Sequence, residues 1–143
     1  MNQKIIWLIV ILSILGIFDT AYLTAERYLN SPVYCLVGGN CDKVLSSPYA
    51  VIYGIPLALF GLLFYFSVLI FAMIFQFSET ASRRRFILRL LFALTCLALI
   101  FSGWLVYLQL FVIKAICVYC VLSAINITAL FLVSIYFLFR WNQ

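Results

Sequence analysis

The chain has no histidine. That removes histidine-based nucleophilic triads, haem held by histidine and mixed Cys/His metal sites. Acidic residues are nearly as scarce: four, scattered over 143 positions, too dispersed for a carboxylate cage around a hard cation. Charge of either sign is rare, 9% of residues against 68% hydrophobic. A water-soluble domain of this size has no interior large enough to hide that much apolar surface. The chain is therefore read as an integral membrane protein. Its net charge of +5 then belongs to helix ends, and no nucleic-acid partner is expected. What remains is cysteine: five copies, and the one conventional nucleophile or redox residue that occurs in clusters.

The length fits a single domain, residues 1–143, holding four spans of roughly 20 apolar residues each. The first apolar run covers residues 5 to about 23, between Lys4 and Glu26-Arg27. A basic start and an apolar core also suit a signal peptide, but Tyr22 and Leu23 carry the run past Asp19, so a retained helix is expected. The stretch from about residue 28 to 55 holds Pro32, Gly38, Gly39, Asn40, Ser46, Ser47, Pro48 and Gly54. These are turn and breaker residues, and so long a connection in a compact bundle is usually functional. Pro56 suits the first position of the second helix, where its missing N–H costs nothing; that helix runs to about Phe77. Residues 78–85, with Arg83, Arg84 and Arg85, read as a polar turn before a third helix that is uncharged over residues 90–113. Lys114, Ala115 and Ile116 make a short corner, and the fourth helix runs from about Cys117 to Phe139, ending at Arg140. The expected fold class is an all-α integral membrane protein: a four-transmembrane-helix bundle with a long outer loop between helices 1 and 2.

Basic residues set the orientation. Lys4, Arg83, Arg84, Arg85, Arg89 and Arg140 fall at one face; Arg27, Lys43 and Lys114 fall at the other, beside Glu26 and Asp42. The excess places both termini and the Arg-rich turn in the cytoplasm of a multi-pass protein of the cell membrane. Two cysteine pairs, Cys35/Cys41 in the long loop and Cys117/Cys120 at the start of the fourth helix, then face the outside. That is the oxidising side, where disulfides form and persist.

Cys117 and Cys120 are three residues apart at a helix start, so their side chains share a face and can meet. Cys117, in the first turn, sits by the positive end of the helix dipole, which favours a thiolate; Lys114 adds to this. Cys120 lies about 4.5 Å deeper, where a membrane-dissolved ligand would meet it. Two cysteines in an apolar helix are also ordinary small core residues. A second pair on the same side favours the redox reading, because thiolate attack passes two electrons from one disulfide to the next. Cys35 and Cys41 flank Leu36-Val37-Gly38-Gly39-Asn40, whose glycines let the loop double back. A passive staple is the plainer alternative there. A four-cysteine zinc site is disfavoured by the wide spacing of the loop pair and by the oxidising face, so no metal is expected. Cys96 falls toward the other membrane face and reads as a packing residue. Asp19, a charge within a span, is a functional candidate for proton relay, or else a wetted or protonated side chain. Ser46 and Ser47 precede Pro48 and suit a helix cap or a ligand hydrogen bond.

Cys35…Cys41-Asp-Lys-Val-Leu-Ser46-Ser47, followed by Cys117-Val-Tyr-Cys120, resembles the vitamin K epoxide reductase family, and its bacterial members most. The segment from Tyr53 through Gly54-Ile55-Pro56 to Tyr65 is similar to the start of their second helix, and Gly16-Ile-Phe-Asp-Thr-Ala-Tyr-Leu-Thr24 to their first. The resemblance implies roles for the cysteines. Cys35 would exchange with a thioredoxin-fold partner, Cys41 would carry electrons to Cys117, and Cys120 would reduce a lipid-soluble quinone (menaquinone, ubiquinone or vitamin K-like). Ser47 matches the family's serine near the quinone pocket. Bacterial members reoxidise disulfide-forming proteins and so support disulfide bond formation; animal members reduce vitamin K epoxide and vitamin K quinone. Many bacterial members carry a fused thioredoxin-like domain after the fourth helix. This chain stops at Gln143, so a periplasmic or extracytoplasmic partner acting in trans is expected. After Cys120 stand Val121-Leu122-Ser123-Ala124 rather than the animal Thr-Tyr-Ala, which argues against epoxide chemistry and strong warfarin sensitivity. The DsbB family shares four helices and two cysteine pairs, but in the reverse order. A structural membrane protein with an inert disulfide is the reading from a different class.

Overall fold

The computed structural model describes residues 3–29, 43 and 48–143. Helix α1 is Gln3–Tyr28; a 3-10 turn at Pro48–Ala50 leads into strands β1 (Val51–Ile52) and β2 (Ile55–Pro56). Then come α2 (Leu57–Phe77), α3 (Ala81–Tyr107), its π-helical extension Leu108–Ile113, and α4 (Val118–Asn142). Four helical segments, α1, α2, α3 with its extension and α4, are each long and apolar enough to cross a membrane. The expected four-helix membrane bundle is therefore the fold.

Helices suit these segments because a lipid interior leaves backbone polar groups no partner but the chain itself. Polar side chains obey the same rule. Ser13, Thr20, Thr24 and Thr95 each donate to the carbonyl four residues back, at 2.7–2.9 Å. Helix α1 packs on α2, α3 on α4, and α4 closes the bundle against α1. Close approach of α1 and α2 rests on small residues. A methyl group at Gly16 would overlap the Tyr65 ring, and one at Gly61 would come within 3.0 Å of Thr20 Cγ2. Ile9, Tyr65, Val68, Leu130 and Phe137 fill the centre, while Trp7, Phe18, Leu97 and Ile125 face outward, as a surrounding of lipid allows.

Two boundaries differ from the sequence expectation. The polar turn is only residues 78–80, and α3 starts at Ala81, so the three arginines are helical. Arginine is a good helix former, and Arg84 gains contacts there. Its Nε donates to the Ser78 carbonyl at 2.7 Å, and its guanidinium lies 5.3 Å from the Phe75 ring and 5.9 Å from that of Trp141. Pro56 is not the first helical residue. It pairs with Val51 in a two-residue hairpin whose tip, Tyr53 and Gly54, has positive φ at both positions, the backbone that matches strand twist. Helix α1 ends at Tyr28, where the loop was expected to begin.

Candidate functional site

The site is built where α3 ends. Over Leu108–Ile113 the helix widens to a π turn, and Lys114 takes a left-handed conformation, φ 56°, that swings the chain back toward the bundle. Single π turns often accompany functional sites. Gln109, buried in this turn, holds the corner together. Its backbone carbonyl accepts the N–H groups of Lys114 and of Ala115, the latter at 3.1 Å. Its side-chain Oε1 accepts the Cys117 N–H at 3.2 Å.

Cys117 therefore caps α4 from just outside it, with φ −98° and ψ 118°, rather than sitting in the first turn; the first helical residue is Val118. The Cys117 carbonyl accepts the Val121 N–H at 3.0 Å. The side chains of Cys117 and Cys120 hydrogen-bond to each other, and both are free thiols. Cys120's hydrogen bond holds the Cys117 thiol below the ordinary thiol range, and burial opposes this less strongly. Cys117 is fully buried, and Cys120 partly so. Between the two cysteines, the Tyr119 ring packs on Tyr22 of α1 at 5.3 Å.

Beside the pair lies a cavity of about 430 Å³. Phe60 and Phe64 of α2 and Phe101 of α3 make its wall apolar; Cys120, Gln109 and Ser123 are among the residues that bring sulfur or polar atoms to it. Ser123 is fixed from behind, its Oγ 3.0 Å from the hydroxyl of the buried Tyr65. One turn further along α4, the Asn126 amide donates to the Leu12 carbonyl at 2.9 Å. Sequence reasoning did not single out Gln109, Tyr65, Ser123 or Asn126 as site residues. The available signal was a carboxamide in each of two apolar spans, one of them eight residues before Cys117.

Asp19 has a buried Oδ2 with no hydrogen-bond partner and lies close enough to Cys117, Cys120 and Tyr65 to act on them electrostatically. Cys96 is a partly buried free thiol in α3 and does not line the cavity. Cys35, Cys41, Ser46 and Ser47 lie outside the described residues. Among the described residues no group of three or more His, Cys, Asp or Glu is placed to hold a metal ion.

A sequence model of the Vitamin K epoxide reductase family matches residues 7–135. Thiol-disulfide oxidoreductase LTO1 of Arabidopsis thaliana is 33% identical over 124 residues, 82% of this chain and 32% of that protein. The chain thus spans about a third of the length of this curated relative.

Proposed function

The chain belongs to the vitamin K epoxide reductase family, and from that membership we propose that it is a membrane thiol–quinone oxidoreductase. Family and relative together support a thiol-based oxidoreductase. The observation that carries the finer reading is the position of Cys120: hydrogen-bonded to Cys117 on one side and lining an apolar cavity on the other. The cavity volume falls within the range of small-molecule sites, and its aromatic wall with a few polar groups suits a planar ring.

In this reading, a thioredoxin-fold dithiol outside the membrane reduces a Cys35–Cys41 disulfide. The Cys41 thiolate attacks Cys117 Sγ of a Cys117–Cys120 disulfide and displaces Cys120 as thiolate. Cys35 then attacks Cys41, which restores the loop disulfide and leaves Cys117 and Cys120 reduced. Cys120 delivers two electrons to the quinone ring, and the Cys117 thiolate closes on Cys120 Sγ. The pair ends as a disulfide, the quinone takes the two electrons and two protons, and leaves as quinol. Burial of Cys117 keeps its thiolate from adventitious oxidants. Ser47 belongs to the quinone pocket in the same reading, and Asp19, one carboxyl oxygen unpartnered near the pair, is placed to carry protons. Both cysteine pairs face the outside of the cell membrane, with both termini cytoplasmic.

The test is spectroscopic. With Cys117→Ala, Cys120 stays a free thiol beside the ring, and adding quinone should produce a new visible charge-transfer band. The double variant Cys117→Ala/Cys120→Ala should not show it. The same band in the double variant would remove Cys120 from the reaction.

A further inference from the structure

Gln109 does more in this structure than a corner requires. Burying a primary amide in an apolar span is costly unless its polar atoms are used. Gln109 is 3% exposed and stands in a helix end that is otherwise apolar, Leu108–Ile113. Only an acceptor can receive the Cys117 N–H, so the oxygen of the amide must face that group. The orientation of the amide is thereby fixed, and the two N–H donors on Nε2 point the other way. The hydrogen bonds among the described residues assign them no acceptor. Nor is Nε2 sealed off: the one buried side-chain nitrogen or oxygen without a partner among the described residues is Asp19 Oδ2. The open space that Gln109 lines is the cavity it shares with Cys120.

We propose that the Gln109 amide donates a hydrogen bond from Nε2 to a carbonyl oxygen of the quinone that Cys120 reduces. This rests on the quinone reading of the cavity. One planar group then ties the acceptor ring to the backbone of Cys117 and sets the distance between ring and thiol pair. As two electrons leave the pair, negative charge grows on the ring oxygen before it is protonated. An N–H held in place strengthens its bond to that oxygen as charge develops, which favours the transition state over the bound quinone. The balance is unchanged: the dithiol loses two electrons and two protons, and the quinone gains both.

The experiment is an infrared spectrum of the full-length protein in lipid nanodiscs with a short-chain 1,4-naphthoquinone carrying 13C at both carbonyls. In the wild type, one carbonyl band should move to lower frequency than the other, the sign of a hydrogen bond on one side. Gln109→Met, close in shape but without donors, should merge the two bands and weaken quinone binding about tenfold. Cys96→Ala should leave the spectrum unchanged. A low-frequency band that persists in Gln109→Met overturns the proposal. Absence of any bound-quinone band in the wild type sinks the quinone reading of the cavity itself. A second measurement needs no variant. Of the four glutamines, Gln109 is the buried one, so with 15N-glutamine labelling its side-chain amide should be the one least broadened by a water-soluble paramagnetic agent. That resonance should shift on adding the same quinone, and a resonance that stays in place contradicts the donor role even if Gln109→Met does not fold.

Discussion

Three groups converge on Cys117: Gln109 holds its N–H, Cys120 its thiol, and α4 begins at its carbonyl. The hydrogen bond from Cys120 is the largest influence lowering its thiol, and burial is the largest that opposes it. Removing Cys120 therefore leaves burial dominant. In a reduced protein lacking the other cysteines (Cys35→Ser, Cys41→Ser, Cys96→Ala), the ultraviolet thiolate signal of the intact pair should develop at a lower pH than that of a free cysteine. Adding Cys120→Ala should move the Cys117 titration to higher pH. A titration that stays put or moves lower would show that the hydrogen bond is not the cause. At this scale the sequence was informative about sulfur and silent about carboxamides. Cys117-Val-Tyr-Cys120 declares itself by spacing. Gln109 and Asn126 do not, because a lone amide in an apolar run gives no sign of which distant N–H or carbonyl it will meet.

Among the elements, spans and corners were legible and helix ends less so. Runs of apolar residues broken by Pro, Gly or charge mark the spans directly. The π turn at Leu108–Ile113 leaves no trace in the pattern, since a single added residue per turn changes no periodicity when every face is apolar. The arginines at 83–85 read as a turn by polarity alone, whereas the rings that Arg84 of helix α3 meets lie on α2 and α4, and its carbonyl partner Ser78 lies in the turn. Arg84→Ala should cost about 1–3 kcal/mol in unfolding from detergent micelles, since it removes both the ring contacts and the bond to Ser78. Arg84→Lys should recover less than half, because lysine lacks the planar face and the Nε donor. Full recovery by lysine would mean that charge alone holds this end of the bundle.

For the whole molecule, charge counting and geometry meet. Phe75, Phe137, Trp141 and Arg84 cluster at one end of the bundle; Tyr22, Tyr119 and the cysteine pair gather toward the other. In the orientation proposed above, the Arg84 end is the cytoplasmic one, as its basic residues favour. A membrane-impermeant thiol reagent on intact, reduced cells should therefore label Cys35 or Cys41, and labelling confined to lysed cells would reverse the orientation. The closure of α4 on α1 was not legible in the sequence. Lipid-facing and core-facing surfaces are equally apolar here, so no stripe marks the inner face. Asn126 on Leu12 ties α4 to α1, and Ser123 on Tyr65 ties α4 to α2. The central claim is that electrons leave through Cys120 into the cavity, and one anaerobic measurement tests it most directly. Fully reduced protein is mixed with quinone, and quinol formation is followed through a single turnover. Wild type should form quinol in proportion to protein, Cys96→Ala should match it, and Cys120→Ala should lose nearly all of the reaction, because the two electrons have no second route. Quinol formation by Cys120→Ala at the wild-type rate would contradict the account.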